Sequence, residues 1–159
     1  MKKHEMPHRL DEIDRRILRE LQRDGRLTNA ELADRVGLSP SPCLRRVRLL
    51  EEADVISGYS ARLNASRLDL GFTVFARVWL KQQDARTVDN FTSKAARLPN
   101  VVDCFLMAGD CDFILRVVAR DLDDYRQFQI KHLTRIEGVA NVKTEIPMER
   151  VKENGILPV

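Results

Sequence analysis

Three arginines, Arg45, Arg46 and Arg48, stand within the stretch Ser39–Leu50, which contains no acid. A guanidinium can donate a pair of N–H bonds to guanine O6 and N7, and a serine hydroxyl can bond a base edge or a phosphate. If the stretch is helical, Cys43, Val47 and Leu50 share one face, and Ser41, Arg45 and Arg48 lie roughly opposite. Arg46 falls on the flank, where a phosphate would be in reach, and Ser39 stands at the helix start, whose dipole and N–H groups also suit a phosphate. A solvated helix face would carry the same residue types. A second group is Met107–Asp112, in which Asp110 and Asp112 flank Cys111 beside Gly109. Two carboxylates near a glycine could hold an ammonium group. Equally, Gly and Asp are ordinary residues of a hairpin turn.

Other chemistries find no support. His4, Glu5 and His8 lack the i, i+4 histidine pair of a zinc helix, so no metal site is expected. Cys43, Cys104 and Cys111 form no CxxC pair and no local Cys/His signature, which suits reduced thiols. There is no P-loop and no GxGxxG, no nucleotide cofactor is expected, and catalysis is not indicated. His132 reads as a packed or surface residue.

The elements that must hold these groups follow from periodicity. Leu10, Ile13, Ile17, Leu18 and Leu21 recur at helical spacing, and Gly25 ends that run. Thr28 or Asn29 can cap a short helix ending at Gly37, and Ser39-Pro40 opens a third helix running to about Ala53. A short helix, a glycine turn and a second helix make a helix-turn-helix. Beyond Asp54 the period becomes two. Val55–Leu63 reads as a strand or hairpin, and Phe72, Val74, Ala76, Val78 and Leu80 alternate as a strand facing a core. A helix over 84–98, strands over 101–108 and 113–119, a helix from Asp121 to Ile136 and a last strand from Val139 complete a βαββαβ order. Pro147 marks an edge or bend late in that strand. The fold class is therefore α+β. An N-terminal helix-turn-helix (residues 1–54) and a linking strand or hairpin (55–68) precede a ferredoxin-like domain (69–159). Both helices should cover one sheet face. The other would carry Thr73, Phe75, Arg77 and Trp79, and a bare face with Phe and Trp calls for a partner, here a homodimer.

Composition sets the limits. The chain has 159 residues with 43% hydrophobic content, enough for a real core. No apolar run reaches membrane-spanning length, and the first residues lack a signal-peptide pattern, so a cytoplasmic protein is expected. A formal net charge of +3 does not by itself indicate nucleic-acid binding; the local arginine excess does.

Four stretches together resemble one family. They are Leu10–Leu18 (LDEIDRRIL), Gly37–Val47 (GLSPSPCLRRV), Ile56–Tyr59 (ISGY) and Gly109–Phe113 (GDCDF), and they are similar to the Lrp/AsnC transcription regulators over residues 10 to 150 or so. The resemblance implies a winged helix-turn-helix that binds double-stranded DNA, a linking strand and a βαββαβ effector domain. It also implies dimers that assemble further, commonly to octamers on the nucleoid. It places a small effector, an amino acid, near Leu106, Gly109, Asp110, Asp112, Leu122 and Ile146. Asp110 or Asp112 would meet the α-amino group, with the three apolar residues as walls. Cys111 stands where an aromatic residue is frequent in the family, and Pro147 where a β-branched one is, so leucine itself does not follow as the effector. A nucleoid-type architectural protein without an effector is the alternative. An enzyme or enzyme-regulatory subunit is a third reading, since ferredoxin-like folds host many functions.

Overall fold

The computed structural model describes residues 9–152 and 155–159; His4, Glu5 and His8 lie outside them. The chain forms two compact units, divided between Arg62 and Leu63, and the segment after Val151 returns to the first.

The first unit holds α1 (Glu12–Arg23), α2 (Asn29–Val36) and α3 (Pro40–Glu52). Asp11 caps α1 and Thr28 caps α2, each in a capping box whose third helical residue bonds back. Gly37 takes the left-handed conformation that ends α2, at φ 73°. Ser39 stands at the cap position of α3, but its hydroxyl makes no cap bond. The third helical residue, whose N–H would serve as donor, is Pro42. Asn29 instead ties the two helix starts together, its amide donating to the Pro40 carbonyl at 2.8 Å. Ile17, Leu18, Leu32, Ala33, Val36, Cys43 and Leu50 form the core, and Val159 packs against it. That terminal segment is held at α1. Arg19 donates to the Val159 carbonyl, and Gln22 exchanges two bonds with the Leu157 backbone.

The strand expected over Val55–Leu63 does not form. The Val55 and Ile56 amides are spent on the Leu50 carbonyl at the end of α3, and the chain then runs irregularly to a 3-10 turn at Ala65–Leu68. A lone extended segment has no ladder to join.

The second unit is the expected βαββαβ. It comprises β1 (Phe72–Leu80), α4 (Ala85–Ala95), β2 (Val101–Leu106), β3 (Phe113–Ala119), α5 (Leu122–Lys131) and β4 (Val139–Glu145). The four strands are antiparallel, in the order β2-β3-β1-β4. Val74, Ala76 and Val78 meet Val117, Leu115 and Phe113 across the central pair and bury against Phe91, Ala95, Tyr125 and Phe128 from the helices. α5 is shorter than the periodicity suggests. It ends at Lys131, and the Thr134 hydroxyl donates to the Gln129 and Ile130 carbonyls that the helix leaves open. Leu133 and Ile136 then bury from a separate 3-10 turn. The uncovered sheet face carries Phe75 and Phe105, both exposed, with Arg77, Trp79, Ile114 and Arg116.

Candidate functional site

The outward side of α3 is the first candidate. Ser39, Ser41, Arg45 and Arg48 are all exposed, whereas Cys43 and Leu50 are buried and Val47 is half-buried. With proline at the first and third helical positions, only Ser41 in that turn has an N–H to offer an anion. Arg46 is a correction to the sequence reading. Its guanidinium turns inward and donates to Asp11 at 2.8 Å and to Asp14 at 2.7 Å. Asp14 is fully buried. Arg46 thus fastens α3 to the start of α1. The Asp14 backbone N–H and the guanidinium together hold the Asp11 carboxyl below its usual value. The sequence reading missed Asp14, although its spacing from Asp11 is that of a capping box and its spacing from Ile17 and Leu18 puts it on the inner face of α1.

The loop between β2 and β3 is the second candidate. It is closed by the Met107 amide on the Asp112 carbonyl at 2.8 Å, and the Trp79 indole donates to the Asp110 carbonyl at 2.7 Å. Asp112 is not available to a ligand. It is buried, and its two carboxylate oxygens accept from the Leu80 amide and from the Gln83 side chain, both at 2.6 Å. The Leu80 amide needs that partner because the β1–β4 register slips between Trp79 and Leu80. Asp110 is the exposed acid of the loop: its side chain is 80% exposed and pairs with the Arg77 guanidinium at 3.6 Å. Cys111 is buried, which suits a packing residue rather than an exposed sensor.

The six residues assigned to an effector do not meet within one chain. Leu106, Gly109, Asp110 and Asp112 lie at the loop end of the sheet, beside edge strand β2. Leu122 follows β3, and Ile146 follows β4, the opposite edge. Leu106 and Ile146 are thus separated by three strand spacings, roughly 14 Å, and by four residues, roughly 13 Å, along the strands. Leu106, Leu122 and Ile146 are all exposed. Within one chain, a ligand the size of an amino acid cannot touch both groups.

A three-helix unit presenting serine and arginine on one outward helix, followed by a separate ferredoxin-like unit, defines a two-unit helix-turn-helix regulator. Comparison with known proteins gives the family. Residues 10–57 match the winged helix-turn-helix DNA-binding family, and residues 73–157 match the Lrp/AsnC ligand binding domain. A leucine-responsive regulatory protein from Rhizobium meliloti is 48% identical over 91% of this chain and 92% of its own. That from Escherichia coli is 41% identical over 94% and 92%. A transcriptional regulator from Neisseria meningitidis, solved as a complex with L-Met, superposes with a TM-score of 0.90 at 35% identity, covering 94% of this chain and 97% of that one. The chain belongs to the Lrp/AsnC family, whose members are transcriptional regulators and not enzymes. Among the described residues no helix is long and apolar enough to cross a membrane.

Proposed function

We propose that this protein is a cytoplasmic, nucleoid-associated regulator that binds double-stranded DNA sequence-specifically through α3 and changes its assembly or DNA affinity on binding an amino acid. The observation that carries the DNA reading is the division of labour on α3. Arg46 is committed to Asp11 and Asp14, while Ser39, Ser41, Arg45 and Arg48 remain on the outer surface with no acid among them. Arg45 and Arg48 read base edges in the major groove; Ser39, Ser41 and the Ser41 amide take phosphates. The effector reading rests on the exposed Asp110 carboxylate as partner of an α-amino group, with Gly109 beside it. The wall formed by Leu106 belongs to one protomer, and the wall formed by Leu122 and Ile146 to another. This division favours a homodimer that assembles to an octamer. The meningococcal relative solved with L-Met supports an amino acid as the ligand class.

The test of the groove assignment is Arg45→Ala in footprinting and equilibrium binding. It should relax base preference at one position of each half-site and cost about 1–3 kcal/mol. Half-sites should lie about one helical turn, or a multiple, apart. Unchanged affinity together with unchanged base preference would sink it. A thermal-shift screen of the twenty amino acids tests the effector, since a ligand of the native state raises Tm by mass action. No response to any of them would leave a purely architectural role.

A further inference from the structure

The helical side of the second unit carries a group of cations that the functions above do not use. Lys94 and Arg97, at and just past the end of α4, and Lys131, His132 and Arg135, at and past the end of α5, line one open, shallow cleft of about 310 Å³. Among the described residues its other lining residues are Leu98 and Ile136, and none of the lining residues carries a carboxylate. Lys94, Arg97, Lys131 and Arg135 are exposed, and none of them makes an ion pair among the described residues. The His132 ring lies over Phe128 at 5.4 Å, which holds it at the rim. Helix dipoles account for one cation in the last turn of each helix, here Lys94 and Lys131. They do not account for Arg97, His132 and Arg135 beyond those turns, in a unit whose acids and bases are nearly balanced overall.

We infer that this cleft is a second, sequence-independent contact for the DNA phosphate backbone, separate from α3. The inference rests on the DNA-binding reading and extends it. Charge without acceptors selects a polyanion, and an open trough without acceptor groups or an enclosing apolar wall offers a small ligand nothing that would distinguish it. The polyanion already attached to the protein is the duplex. Backbone contacts of this kind add affinity and salt sensitivity but carry no base information.

The experiment uses the full-length protein and a duplex long enough to extend beyond the α3 footprint. Salt dependence of binding is compared for wild type, Lys131→Gln/Arg135→Gln, and that pair combined with Lys94→Gln/Arg97→Gln. Every phosphate that a variant no longer neutralises should reduce the slope of log K against log salt by about 0.9. The double variant should therefore lose about 1 to 2 in slope and bind specific and random DNA more weakly by the same factor, with footprint position and Tm unchanged. Arg45→Ala should behave oppositely, changing base preference far more than slope. Unchanged slopes in both cleft variants overturn the inference, as does a change in sedimentation, which would make the cleft a subunit contact. A Tm rise with tripolyphosphate that the variants lose while keeping wild-type slopes also overturns it in favour of a small anion. If wild type binds no DNA at all, it is the proposed function that fails.

Discussion

Arg46 and Asp112 show how a charged residue can belong to the frame of a site rather than to its ligand. The buried Asp14 carboxylate accepts from the Asp11 amide as well as from Arg46, and Arg46→Ala removes the cation that balances it between α1 and α3. The variant should lose about 2–3 kcal/mol of stability in the first unit, read as a lower denaturation midpoint. A double-mutant cycle with Asp14→Ala should show strong coupling. Loss of DNA affinity at unchanged stability would restore the phosphate role that the sequence suggests. Asp112→Ala removes the acceptor of the Leu80 amide and should cost about 1–3 kcal/mol, while Asp110→Ala should spare stability and lower the response to amino acids. Equal loss of ligand response with no loss of stability in Asp112→Ala would reverse these assignments. The outward positions of Ser41, Arg45 and Arg48 were legible from helical spacing alone. The inward turn of Arg46 was not, because it depends on an acid more than thirty residues away.

Helix caps contribute to the acid sensitivity expected of both units. Bonds to the Asp14 amide, the Thr28 amide and the Thr87 hydroxyl are the largest of the causes that lower Asp11, Glu31 and Asp84, respectively, below their ordinary values. A carboxylate whose folded pKa is depressed adds stability that is complete above its unfolded pKa and disappears as pH falls through the folded one. Urea midpoints should therefore decline below about pH 5 and keep falling toward about pH 3. Asp84→Asn should flatten that decline; an unaltered profile would remove the cap from the account. Sequence signals were strongest for these elements, since cap residues, glycine stops and period-two strands are local. They failed where an element depends on what lies beside it. Val55–Leu63 alternates like a strand but finds no strand to pair with among the described residues, and the residues past Lys131 keep helical spacing after the helix has ended.

For the molecule as a whole, the bare sheet face is the surface proposed for the homodimer contact. Phe75→Glu places a charge in its middle and should weaken self-association roughly tenfold to a hundredfold in sedimentation equilibrium, with the circular dichroism spectrum kept. Unchanged mass would move the interface elsewhere. The overall βαββαβ order was readable from strand and helix alternation. The return of the terminal segment to α1 was not, because a short polar stretch with a few scattered apolar residues has no period to betray its docking site. That return means the backbone passes between the units twice, at Arg62/Leu63 and again at Val151/Lys152. In sequence, the sheet-bearing unit is therefore an insertion inside the DNA-reading one. A protease nick at the first passage leaves them joined by the second, and a fragment cut cleanly at Arg62 parts with the Leu157 backbone bonds to Gln22 and with Val159, a piece of its own hydrophobic packing.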